Sequence, residues 1–234
     1  MILIGIFIVI IAALIFYAAI YFKNKNPIEP LVFEKASIEG YINNCVKKTA
    51  EDGLKLLGKQ GGLINLDENK KIGNLSIANL FYSSKSQVPS IEKIQDELSF
   101  YVNSNLNICL KDFEDFKKQG WNVDKGSITT KTQINENDVL FEANFPLKIS
   151  DKENSIIFEK FFANENIRLK YIYEIVNKIV DFRVKHERQI DATTLSNYEV
   201  YINVYDYGDF LIFNIVDYKS LILKTPYEFN FAVS

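Results

Sequence analysis

A single histidine, His186, serves all 234 residues, and only two cysteines, Cys45 and Cys109, accompany it. That scarcity excludes most metal and nucleophile chemistry. A zinc site built on imidazoles needs more donors than one ring, and no Cys-x-x-Cys or His-x-x-x-His spacing occurs. A Ser-His-Asp arrangement has to borrow His186, and no Gly-x-Ser-x-Gly elbow offers it a nucleophile. His186 itself lies in the charged run Arg183 to Arg188 (RVKHER) near a helix end, where a cation suits the negative end of the helix dipole. No EF-hand pattern is present, and the short acidic runs carry too few ligands for calcium. The chain therefore implies no cofactor and no metal. A basic excess is also missing: the net charge is −3, which argues against nucleic acid as a partner. There is no internal repeat and no low-complexity tract.

Charge is wholly absent from residues 1–22 (MILIGIFIVIIAALIFYAAIYF). An apolar helix of roughly 20 residues crosses a hydrocarbon core about 30 Å thick, and it satisfies its own backbone within lipid. No second such stretch follows, so the expectation is one membrane anchor, in contact with lipid through residues 1–22. A cleavable signal would carry basic residues ahead of a shorter apolar core of about 7–15 residues, and neither feature is present. Lys23, Lys25 and Lys35 lie beyond the core, a pattern that favours a cytoplasmic C-terminal side. Large domains translocate despite such flanking charge.

Pro27 and Pro30 mark residues 23–32 as a stalk, leaving 33–234 as the folded domain. A helix is expected over residues 33–59, with Ile38, Tyr41, Ile42, Cys45, Thr49 and Leu56 at helical spacing. It ends at Gly58 or at Gly61-Gly62. The run from Gly58 to Gly62 (GKQGG) lacks the Gly-Lys-Ser/Thr ending of a phosphate loop. A polar turn at residues 67–71 separates short strands, and Ser90 caps a second helix with Ile91, Ile94, Leu98 and Cys109 on its stripe. A short helical turn over 113–119 stops at Gly120.

The period then changes to two. Strands are expected at 128–134, 139–149 and 156–163, a β-meander. A third helix follows Asn166, with Ile172, Ile175, Val176, Ile179 and Val180 inward, and Arg168, Lys170, Glu174, Lys178 and Arg183 outward. Three strands close the chain at 199–205, 210–216 and 227–233, the first two joined by a tight turn over Asp206 to Asp209 (DYGD). The fold class is α+β: an N-terminal transmembrane helix, then a domain of amphipathic helices packed on an antiparallel β-sheet.

Cys45 and Cys109 both lie on apolar helix stripes. If those faces pack together a disulfide is available, and it places the domain outside the cytosol. Two buried thiols are the alternative, because free cysteine is a favoured core residue. Aromatics crowd the C-terminal strands. Phe229 and Phe231 alternate with polar residues and belong to the core. Val200, Ile202 and Val204 supply one buried face of their strand, so Tyr201 and Tyr205, with Tyr207 in the turn, project from the other as an interaction surface. Asn74-Leu75-Ser76 is a lone glycosylation sequon.

The run from Cys45 to Gly58 (CVKKTAEDGLKLLG), then Gln60-Gly61-Gly62, and later Glu97 to Tyr101 (ELSFY) ahead of Cys109, resembles N-terminally anchored archaeal surface proteins of unknown function with a paired-cysteine ectodomain. The resemblance covers roughly residues 1–150 and implies no catalytic residue. The order of apolar helix, helical stalk and antiparallel sheet is also similar to type IV pilins, although Gly5 stands where bacterial pilins carry glutamate. The expected function is binding or assembly at the cell surface, through a protein partner or through copies of itself, and not catalysis. A pilin-like filament subunit is one alternative. A membrane-tethered hydrolase is another, and it requires Glu136, Asp138, Asp151 or Glu153 to converge in a pocket.

Overall fold

The computed structural model describes Tyr17 and residues 30–66, 71–72, 75–151, 154–186 and 189–234. No helix among these is long and apolar enough to cross a membrane. The expected anchor, residues 1–22, lies outside the described residues apart from Tyr17, and so do residues 23–29 of the stalk. The chain divides into two compact units, Met1–Ile38 and Glu39–Ser234. The second is an α+β unit with antiparallel sheets.

Helix α1 spans Pro30–Gln60, so Pro30 opens this helix where the sequence suggested a break. A proline fits the first turn because its missing N–H is one the helix leaves unpaired in any case. At the other end Gly61 and Gly62 take φ of 79° and 92°, and the Gly62 N–H donates to the Leu57 carbonyl at 2.9 Å. That six-to-one bond is a Schellman stop, which settles the choice of terminator. Gly58 has a different task. A Cβ there would stand 2.3 Å from the Glu228 carbonyl oxygen, so α1 presses its backbone directly on the last strand. The buried Tyr227 hydroxyl donates to the Leu54 carbonyl at 3.1 Å within the same contact.

Helix α2, Ile91–Leu110, runs antiparallel to α1, since Cys45 meets Cys109, Gly53 meets Tyr101 and Gly62 meets Ile94. Ser90 caps it by accepting from the Lys93 N–H. Gly53 of α1 meets the Tyr101 ring, and the Tyr41 hydroxyl lies 3.2 Å from the carbonyls of Cys109 and Leu110. Glu97 is buried, unexpectedly for the apolar stripe. Its carboxylate accepts from the Ile64 and Asn65 N–H groups and pairs with Lys93 at 2.9 Å, tying down the loop after α1. Beyond α2, Lys111, Asp112 and Phe113 all take left-handed φ of 47–58°. Each such residue costs roughly 1–2 kcal/mol. Full burial of Phe113 against Tyr41 and Phe116 offsets that strain. Helix α3, Glu114–Lys118, then leads to Gly120 at φ 91°.

The first sheet holds β5 (Asn122–Lys125), β6 (Thr129–Ile134), β7 (Val139–Ser150) and β8 (Ser155–Glu165). Strand β7 is central: β8 lies along one edge, while β6 and β5 share the other, opposite Val139–Asn144 and Leu147–Ser150. The change of partner falls at Pro146, which has no N–H to give a ladder. Instead its carbonyl accepts from Gly126 at 2.8 Å. Val139, Phe141, Ala143, Phe145, Leu147 and Ile149 are all buried, the alternation expected of a half-buried strand. The edge of β8 is held by α1: Asn43 Oδ1 accepts from the Phe162 N–H at 3.0 Å, and Lys47 bonds both oxygens of buried Glu165. Burial pushes that carboxyl above its usual range against the pull of Lys47.

Helix α4, Leu169–Lys185, buries Ile172, Ile175, Val176, Ile179 and Val180 as expected. Arg183 corrects the expectation. It is buried, with its guanidinium 5.7 Å from the centre of the Phe81 ring, a stacking that lets a cation lie inward. A short helix α5, Ala192–Leu195, precedes the second sheet. Its order is β11 (Thr225–Val233), β10 (Leu211–Ile222) and β9 (Tyr201–Asp206). Of the short strands β1 (Lys71–Ile72), β2 (Leu75–Ala78), β3 (Phe81–Tyr82) and β4 (Lys85–Ser86), the segment around β3 closes the outer edge of β11. Leu80 N–H bonds the Ala232 carbonyl, and Ser234 N–H bonds that of Phe81.

The β10–β11 ladder slips between Asp217 and Leu221, and a polar knot fills the bulge. Asp217, fully buried, receives two bonds from Arg168 at 2.7 and 3.0 Å, one from Ser220 Oγ at 2.6 Å and one from the Lys219 N–H at 3.0 Å. Burial alone raises its pKa, but these donors outweigh burial and hold the carboxyl below its usual range. Arg168 is thus not the outward residue that helical spacing implied.

Two variants of α1 test its seating. Gly58→Ala, forced against a backbone oxygen, is expected to destabilise the domain by about 1–3 kcal/mol. Gly40→Ala, with nothing within 4 Å, is expected to stabilise it by about 0.5–1 kcal/mol; denaturant unfolding of the purified chain reads both. Asp217→Ala strands Arg168 and is expected to cost about 3 kcal/mol at neutral pH. The folded-state pKa of Asp217 is depressed, so its contribution is complete above about pH 4 and is lost as pH falls further. The stability gap between wild type and variant should therefore narrow in acid.

Candidate functional site

The hairpin of β9 and β10 turns at Gly208, whose φ of 84° suits the first central position of a type II′ turn. Tyr207 N–H bonds the Phe210 carbonyl at 3.0 Å, and Asp206 Oδ1 accepts from the Gly208 N–H. The register then assigns every side chain to a face. Opposite Phe213 and Ile215 of the buried face stand Val204 and Ile202. Opposite Val216, Asn214 and Ile212 on the other face stand Tyr201, Asn203 and Tyr205; Ile212 itself is buried there with Ala232, against Ile77 and Phe210.

The expected tyrosines therefore do share an outer surface, and they are 68%, 50% and 58% exposed in the order Tyr201, Tyr205, Tyr207. Tyr201 sets its ring edge-on against Tyr218, 60% exposed, at 5.1 Å. Tyr207 stacks on Phe210 at 5.1 Å. Between them runs a row of amides: Asn203 donates to Asn214 at 2.9 Å, and Asn214 to Asn230 at 2.7 Å. Tyr218, one of the crowded C-terminal aromatics, completes the patch with Asn203 and Asn214, and none of the three was assigned to it from the sequence. Their signal was the two-residue spacing from Asn214 through Val216 to Tyr218, a face that becomes legible only once the partner strand is known. One expectation fails. Val204 is exposed and Ile202 only half-buried, because β9 is an edge strand reaching beyond the core beneath it.

Cys45 and Cys109 form a disulfide, with Cα atoms 5.5 Å apart. It ties the middle of α1 to the last turn of α2, next to the left-handed residues 111–113. Tyr41 spans the same junction; burial, and then the charge of Asp115, raise its pKa.

The carboxylates named for a hydrolase do not converge. Glu136 pairs with Lys170, and Asp138 accepts from Asn135 and Asn164, in the turn before β7. Asp151 accepts from the Asn154 N–H in the turn after it. A twelve-residue strand separates the two turns by roughly 35 Å. Glu153 and Asn74 of the sequon lie outside the described residues. His186 is the C-cap of α4, its ring 4.6 Å from Phe182. Among the described residues no group of three or more His, Cys, Asp or Glu side chains could hold a metal ion. Exposed tyrosine and asparagine side chains on a sheet can stack and hydrogen-bond.

Comparison with protein-family models, with curated proteins and with solved structures found no match to this chain.

The disulfide closes a loop across a sequence separation of 64 residues, so reduction, or replacement of both cysteines by alanine, is expected to lower stability by about 4 kcal/mol. Denaturant unfolding with and without a thiol reductant measures the difference.

Proposed function

We propose that this chain is a single-pass membrane protein, held in lipid by residues 1–22, whose 33–234 domain faces away from the cytosol and acts by binding or assembly. The observation that carries the reading is the outer face of β9 and β10. Four large tyrosines lie exposed there around an ordered amide row. Such a surface suits recognition, since tyrosine brings contact area and a polar tip together, and aromatics are enriched at interfaces. Two further features support the placement. The apolar, uncharged run 1–22 is long enough to cross a bilayer, and a disulfide persists where the surroundings are oxidising.

Two measurements on intact cells test this. A membrane-impermeant protease should digest the domain from outside, with Cys45 and Cys109 closed to alkylation until reduced. A domain that is protected and carries two free thiols would overturn the outward placement. A photo-cross-linking residue at Tyr205 should form protein adducts that the same probe at exposed Lys118 does not. Equal yields at the two sites would overturn the interaction surface.

A further inference from the structure

Strand β9 ends its sheet: among the described residues it pairs with β10 alone. Two other sheet edges are held by neighbouring segments of the chain. Residues 79–82 bond to the far side of β11, and Asn43 takes an edge N–H of β8. Native proteins blunt open edges with lysine, proline or a bulge. The sequence of β9 (YINVYD) has no lysine or proline, and its register with β10 is unbroken from Tyr201 to Asp206.

Which backbone groups the edge offers follows from the turn. In an antiparallel ladder, residues that exchange bonds with the partner strand alternate with residues that do not. Tyr207 bonds across to Phe210, so Tyr205, Asn203 and Tyr201 bond inward to β10. The N–H and C=O groups of Ile202, Val204 and Asp206 therefore point away from the sheet, ready for another strand.

We infer that the added strand is β9 of a second copy, antiparallel about a two-fold axis through Asn203; this deepens, and rests on, the reading of that face as a binding surface. An axis between two residues would set outward-facing backbone groups against inward-facing ones and make no ladder. An axis through Asn203 matches them. Ile202 bonds with the partner's Val204, and Val204 with the partner's Ile202. On the outer face Tyr201 then stands opposite the partner's Tyr205, twice over, and Asn203 opposite the partner's Asn203. Aromatic cross-strand pairs are among the more favourable ones. Asp206 falls opposite Val200, so no like charges meet. Moving the axis one residue, to Val204, puts both copies of Tyr205 opposite asparagine, sets Asp206 opposite Ile202, and leaves Tyr201 to meet only Tyr207 of the partner, a residue of the turn beyond the strand. Asn203 uses one Nδ2 hydrogen on Asn214, leaving the rest of its amide for the partner's, so the amide row continues across the axis. The product is one six-stranded sheet. A two-fold contact of this kind uses each β9 edge once, so it closes as a dimer instead of growing into a fibre.

The test uses the full chain in detergent micelles, with Cys45 and Cys109 already paired. Residues opposite each other without ladder bonds have Cα atoms about 4.5 Å apart, within disulfide range. Under mild oxidation Asn203→Cys should give a covalent dimer. Tyr201→Cys alone should not, whereas Tyr201→Cys mixed with Tyr205→Cys should. Val204→Pro removes an outward N–H without touching the β10 ladder. It should abolish the Asn203→Cys cross-link and convert the native species from dimer to monomer by light scattering, with circular dichroism unchanged. A wild-type chain that is monomeric at every concentration overturns the inference. So does an Asn203→Cys cross-link that survives Val204→Pro. A photo-probe at Tyr205 that captures only a different protein overturns the second copy while leaving the binding reading intact, and a probe that captures nothing overturns both.

Discussion

Helix α1 can sit where it does because position 58 has no side chain. With the backbone of α1 lying on β11 at Gly58, and Tyr227 hydrogen-bonded to Leu54 one turn earlier, both the depth and the azimuth of the helix are set. Everything else α1 touches depends on that seat. Its upper half reaches the β8 edge through Asn43 and Lys47. Its flank carries Cys45 and Gly53 against α2. A single long helix thus links the second sheet, the first sheet and α2, and a Cβ at residue 58 would loosen all three contacts at once.

The polar interior follows the same economy. Asp217, Glu97 and Glu165 are nearly or fully buried carboxylates, and a buried ion needs several partners to be tolerated. Each has them from a different element. Arg168 precedes α4 and reaches the β10 bulge; Lys93 and two loop amides hold Glu97; Lys47 of α1 holds Glu165. Such pairs contribute little net stability against an apolar alternative. They do specify position, because a carboxylate left without its partner is strongly unfavourable. The left-handed residues after α2 are held in the same way, by Phe113 burial and the adjacent disulfide rather than by local preference.

The tyrosine surface stands apart from this interior. Tyr201 and Tyr205 belong to a strand whose inward face is only half covered, so they contribute less to the core than their size allows. What they do present is an exposed aromatic row joined to an open edge, and the two together define a surface with a direction, a register and a chemical character.

Residues with strong periodicity were legible in the sequence. The stripes of α2 and α4, the alternation of β7 and the core position of Phe229 and Phe231 all express burial on one side, which a local pattern records. The cysteine pair was legible as an opportunity, since both residues lie on helix faces, but their distance depends on how α1 and α2 meet. Arg168 and Arg183 read as outward charges at helical spacing, and Glu97 and Asp217 gave no sign of burial, because nothing local shows that a ring or a counter-ion waits inside. The turns at Ser83-Ser84 and Leu223-Lys224 have positive φ without glycine or asparagine, so they gave no signal, and β10 ended six residues later than expected. The grouping of Glu136 with Asp151 failed because sequence proximity ignores the length of the strand between them. The amino-acid sequence by itself determined the α+β class, the glycine-rich region where α1 ends and the apolar faces of α2, α4 and β7, all properties of chain segments a few turns long. Which charges were buried, which cysteines met, and which strand was left as the open edge were decided by tertiary structure. Those outcomes depend on contacts between segments far apart in the chain, and no local pattern carries them.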